Sequence, residues 1–329
     1  MTRAWTSLVV LLFVAFVGAA TTFAQTWVPQ ESGTKAHLRG ISAVNPMVAW
    51  AGGSKGTVLK TSDGGATWKA VNVPGAADLD FRGMVAFDEK TALALSSGKG
   101  PLSRIYKTSD GGATWHLLQI NPDPKGFWDA IAMWDPQHGI LVGDPVNGKF
   151  DVWTTFDGTD WHGEKGPAAG AHEGVFAASN SALAVKGAHD AWFGTGGTGE
   201  SRVLHTDDGG KSWTAAKTPI RNESDNAGIF SLAFSNARHG VAVGGDFSKP
   251  EAGSMAMTDD AGKSWSAGSV KGYRSAVVWV ADAKMWIATG PSGTETSVDG
   301  KNWVSAGMGF NAISMPWAVG NGGVIAKFQ

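Results

Sequence analysis

The stretch Thr61-Ser62-Asp63-Gly64-Gly65-Ala66-Thr67-Trp68 returns almost unchanged at Thr108 to Trp115, Thr206 to Trp213 and Thr258 to Trp265. Shorter copies, each lacking one residue, run from Thr155 to Trp161 and from Ser297 to Trp303. A unit repeated this often constrains the fold more than any other feature of the chain. Its chemistry is that of a tight turn between two strands. The Asp carboxylate accepts hydrogen bonds from nearby backbone N–H groups, and the glycines take up positive φ without a Cβ clash. Thr or Ser returns the chain to extended geometry, and Trp places a large ring in the adjacent core. A calcium loop would need several more oxygen ligands and a bidentate Glu, which the box lacks.

Counting Trp27 in front, the box tryptophans fall at 27, 68, 115, 161, 213, 265 and 303, at intervals of 41, 47, 46, 52, 52 and 38. These intervals match a four-stranded propeller blade. Each interval reads as three apolar strands, the box turn and a short fourth strand. The first blade has strands at 38–44, 48–52 and 57–61; in the fourth, the first strand is expected at 174–178, with an extra segment near 183–185. After Trp303 only three strands remain, at 310–315, 317–320 and 323–328. The fourth strand of that blade is expected from Thr26-Trp27. The prediction is an all-β, seven-bladed β-propeller over residues 25–329, closed by the N-terminal strand completing the last blade. Closure of this kind removes exposed sheet edges.

Composition narrows the function classes. Net charge is −2 and charged residues make up 17% of the chain, which gives no reason to expect a nucleic-acid partner. The absence of cysteine excludes thiolate nucleophiles, disulfides and Cys-ligated metals. Positive Arg3, the apolar run from Ser7 to Ala20 and the small residues around Ala24 read as a secretory signal peptide over residues 1–24. The expected product is a secreted or periplasmic monomer with no stable membrane insertion after cleavage.

Motifs for bound chemistry are scarce. Gly194 to Gly199 fits G-x-G-x-x-G, but a strand follows it where a dinucleotide site needs a helix. No zinc-type histidine spacing occurs. No cofactor and no metal are expected. The informative residues lie where blades differ, on the face opposite the boxes. Superposing the blades brings Arg39, Arg82, Trp128, Asp129, Glu173 and Arg274 to the entrance of the central channel, with Phe230, Tyr273 and Asn311, and neighbouring loops add Asp144 and Asp246. Arginine is the bidentate donor for an anion, so the expectation is a pocket gripping an anionic or polyhydroxylated ligand. The same charges equally suit a solvated polar channel. A glycoside hydrolase would need two carboxylates, or a Tyr nucleophile, across the bond; Tyr273, Asp129 and Glu173 are the candidates for that alternative. The Arg-Ile/Val-Pro opening of sialidases is missing at Leu38-Arg39-Gly40.

The boxes resemble the Asp-box of BNR-repeat proteins. The longer units Ala49 to Thr61 and Trp317 to Ala326 resemble the repeat of the photosystem II stability/assembly factor family, and the resemblance covers Gln25 to Gln329. It implies an exported seven-bladed scaffold without catalysis, with arginines on the propeller as a docking surface. The expected partner is a protein or a glycan.

Overall fold

The second strands of the blades are buried along their whole length, as at Ala49–Gly53, Ala92–Ser96 and Gly240–Asp246, because each blade is packed on both faces by its neighbours. The computed structural model describes residues 26–329. They form seven sheets of four antiparallel strands. In the first blade these are Leu38–Ala43, Ala49–Gly53, Val58–Thr61 and Lys69–Val71. The expected signal peptide lies outside the described residues. Among those described, no helix is long and apolar enough to cross a membrane.

The seventh blade closes as the repeat count requires. Trp27–Gln30 pairs with Ile325–Phe328, with Trp27 opposite Phe328 and Gln30 opposite Ile325. Beyond the ladder, the Thr26 N–H donates to the Gln329 carbonyl at 2.9 Å, and the Gln329 N–H donates to the Thr26 carbonyl at 3.0 Å. The first and last strands of the ring are thus covalently distant and hydrogen-bonded, and no edge is left open at the join.

The boxes are self-contained turns. Thr61 Oγ1 donates to Asp63 Oδ1 at 2.9 Å and accepts from the Gly65 N–H at 2.9 Å. The Asp63 carboxylate then takes the Thr67 N–H at 2.9 Å and the Thr67 hydroxyl at 2.6 Å. The same set recurs around Asp110 and Asp260. Gly64 and Gly65 sit at φ 76° and 84°, where a side chain would be strained. Each carboxylate is saturated by its own turn, and among the described residues no cluster suited to a metal ion occurs. Box tryptophans pack across blades: Trp115 meets Trp50 edge-on at 6.0 Å, and Trp68 meets Trp317 at 6.0 Å. The box therefore fixes blade-to-blade spacing as well as the turn.

One element departs from the sequence reading. The inner strand of the fourth blade is Leu183–Lys186, the segment taken as extra, and not 174–178. Residues 174–181 instead cross the ring. The Val175 N–H donates to Asp144 Oδ1 of the third blade, the Ala177 carbonyl accepts from Arg82 of the second, Asn180 brackets the Ile131 backbone, and Ser179 Oγ donates to the Ser275 carbonyl of the sixth. Three other blades are tied to this one loop, which closes the channel from within.

Candidate binding site

Three inner strands carry a β-bulge at one shared place, between Leu38 and Gly40, Phe81 and Gly83, and Trp128 and Ala130; a fourth lies between Ile229 and Ser231. The residue left out of the ladder is Arg39, Arg82, Asp129 or Phe230. A bulge re-aims a side chain without breaking the strand, and here it turns these groups toward the axis. The crossing loop covers Asp129. The others open into a cup of about 380 Å³ at the channel mouth, floored by Ala177 and Ala178.

The cup has two unlike sides. Arg39 and Arg82 stand on the first and second blades, with Asn311 and Asn321 of the seventh beside them. Phe176, Phe230, Phe247 and Tyr273 form the other side. Phe176 stacks on Phe230 at 4.0 Å, and Tyr273 meets Phe230 edge-on at 4.8 Å. The glycine-rich run has its use here. A Cβ on Gly196 or on Gly228 would come within 2.7 Å of the Phe176 ring, so both positions are bare where the ring seats.

The two arginines differ. Arg82 Nε donates to Asp80 at 2.8 Å and Arg82 Nη1 to the Ala177 carbonyl at 3.2 Å. The half-buried Arg39 guanidinium has no hydrogen-bond or ion-pair partner among the described residues. Burial, then the neighbouring Arg82, lowers its pKa below the ordinary arginine value; it stays charged at any working pH. No carboxylate lines the cup; the charge of Asp80, which is bound to Arg82, partly opposes the lowering.

A sequence profile of the family described as photosynthesis system II assembly factor YCF48 matches residues 19–175. The solved structure of YCF48 bound to D1 peptide superposes with a TM-score of 0.66 at 15% identity, over 94% of this chain and 99% of that one. Over residues 19–175 the chain is similar to that family, and across its length it shares the seven-bladed fold. YCF48 from Cyanidioschyzon merolae is similar at 15% identity over 92% of this chain and 99% of that one, with a TM-score of 0.42. An ancestral GH74 enzyme gives 0.58 at 13% identity, over 90% of this chain and 41% of that one, so the chain spans less than half of that enzyme. At these identities the solved structures share the fold alone. No curated protein matches the sequence.

The propeller gathers only part of the residue set expected from sequence. Arg274 is not at the mouth. It is 3% exposed, and it pairs with the buried Glu295 at 2.7 Å. The strand register puts Ser275 at the place of Arg39, and Arg274 at the place of Leu38. A slip of one residue turns a side chain to the other face of a strand. Trp128 is likewise one residue before its bulge. It is fully buried, and its indole N–H donates to Asp151 at 2.9 Å. Glu173 lies eight positions before Ser181, the fourth-blade equivalent. Burial would raise the Glu173 pKa, but hydrogen bonds from Arg202, the Gly170 N–H and Thr195 outweigh it and hold the carboxyl below its ordinary value. Asp246 turns away into its own hairpin, accepting from Ser248 and Ser224.

Asp129 and Asp144 form an acidic pair beneath the floor. Burial, then the neighbouring Asp144 charge, raises the Asp129 pKa well above the usual carboxylate range, and its Oδ2 has no partner. Burial pushes the Asp144 pKa up to about 6. The glycosidase candidates are therefore not assembled. Tyr273 faces the cup with its phenol pKa raised by burial, whereas Asp129 is under the floor and Glu173 is bound to Arg202. Sequence reasoning missed Phe176, Phe247 and Asp80. Phe247 had a usable signal, as a large apolar residue in a polar hairpin, and it is 51% exposed.

Proposed function

We propose that this chain is an exported, non-catalytic binding propeller that engages a protein partner at the mouth of its channel. The observation carrying this is the unpartnered Arg39 guanidinium in a cup that holds no carboxylate. A half-buried cation pays for lost hydration unless an anion completes it, and a guanidinium completes best with a carboxylate. The relative captured with a D1 peptide supports a protein as the partner class. The N-terminal stretch through Ala24 supports export.

Photo-crosslinking tests the binding face. A benzoylphenylalanine at Phe247 is expected to capture a defined partner in the producing cell, and Arg39→Glu to abolish that capture. The same probe at Phe156, on the box face, serves as the control. Capture at 156 alone, or capture at 247 that Arg39→Glu leaves unchanged, would refute the proposed face. For export, the mature protein recovered from the cell envelope is expected to begin at Gln25; a cytosolic product beginning at Met1 counts against it.

A further inference from the structure

Resting on the reading of the cup as the binding site, we infer the chemistry that it selects: a carboxylate borne close to an aromatic ring. Three properties of the cup point there. The first is charge. Arg82 is already paired with Asp80, so the free charge is that of Arg39 alone, and a monoanion balances it. A phosphate dianion would leave surplus negative charge beside Asp80.

The second property is shape. The open side of the cup is aromatic, and Phe247 meets Phe230 at 6.1 Å and 76°. Rings that meet at such angles present edges and faces to a third ring, the arrangement that aromatic groups prefer. An exposed Phe at the tip of a hairpin, directed over a cavity, is otherwise an apolar surface with nothing to cover it.

The third is size. A volume of about 380 Å³ is at the low end for small-molecule pockets. It admits one aromatic residue with its carboxylate and excludes a folded element. The two sides face each other across the cup, so charge and ring must sit on one short molecule. Two sources carry this chemistry, a free arylalkanoic acid and the C-terminal aromatic residue of a peptide.

The test is titration calorimetry on the purified full chain with N-acetylphenylalanine, its amide, 3-phenylpropionate, hexanoate and inorganic phosphate. The acid is expected to bind, with the amide and hexanoate each weaker by about tenfold or more, the loss of one charge-assisted contact or of one ring. In Arg39→Gln the acid and the amide should bind alike, and Phe247→Ala should weaken the aromatic acids but not hexanoate. Phenylpropionate binding as tightly as N-acetylphenylalanine supports the inference with a free acid as source. A further gain of about tenfold on extending to a tetrapeptide ending in Phe supports it with a chain end as source. An amide that matches the acid, or phosphate that outcompetes it, overturns the inference. If the acids fail while crosslinking at Phe247 persists, this chemistry falls and the binding face stands. If both fail, the face itself is wrong.

Discussion

Asp144→Asn removes a charge that the folded chain carries at a cost. The Asp144 carboxyl titrates near pH 6 in the fold and near 3.8 when exposed. The folded state therefore holds the proton more tightly. Stability is greatest below about pH 3.8, falls as pH rises toward 6, and stays at the lower value above that. The difference of about two pKa units is worth at most about 3 kcal/mol, and about 1–3 once the remaining solvent contact of the side chain is allowed for. Asparagine keeps the oxygen that accepts the Val175 N–H at 3.0 Å, so the crossing loop remains anchored. Removing the charge also relieves Asp129, whose ionisation is opposed by Asp144; that adds to the gain with the same sign. Urea unfolding followed by tryptophan fluorescence should show the variant more stable by about 1–3 kcal/mol at about pH 7.5, and equal to wild type at about pH 3. Equal gains at both pH values, or a loss at the higher one, would refute the argument that ionisation is the cost.

The boxes behave oppositely: hydrogen bonds from Thr67 hold Asp63 down to about 2 and those from Thr114 hold Asp110 down to about 2. These carboxylates stabilise the fold above about pH 3.8 and lose that contribution as pH falls toward 2, so Asp63→Asn should flatten the acid limb of the unfolding curve measured below about pH 4. Arg274→Ala leaves Glu295 buried and unpaired and should cost about 3–5 kcal/mol, whereas Arg274→Met with Glu295→Leu should unfold near the wild-type denaturant midpoint. Trp128→Ala, a cut in the core and not in the site, should cost about 3–5 kcal/mol of stability while the folded fraction keeps its affinity for N-acetylphenylalanine. A Cβ at Gly196 would meet the Gly228 backbone at 2.4 Å and the Phe176 ring at 2.7 Å, so Gly196→Ala should lower the urea midpoint and weaken aromatic acids, read by calorimetry.

Architecture was legible because it is written in repetition. Blade number, box turns and the Trp27–Gln30 closure follow from Trp spacing, since each box must place its ring against the neighbouring blade. Arg39 and Arg82 were legible by superposition. The fourth blade was not, because the segment 174–178 is as apolar as a strand and is followed by a second apolar run. Only the tertiary bonds of Ser179 and Asn180 to distant blades distinguish a crossing loop from an inner strand. Arg274 was misplaced for a different reason. Strand periodicity has a step of one residue, and the sequence around Tyr273 does not say where the ladder starts.

The bulge explains why the site falls where repetition ends. In an inner strand every laddered residue packs into a neighbouring blade, so its identity is fixed by the core, as for Leu38, Phe81 and Trp128. The residue expelled from the ladder has no such duty. It can be Arg39, Arg82, Asp129 or Phe230 while the blades close unchanged. Variation at that place is cheap for the fold, and it is a place from which side chains of several blades turn toward the axis. Divergence there, next to strict repetition on the box face, is what a ring must show if it is to hold one asymmetric ligand: cation on one side, aromatic wall on the other.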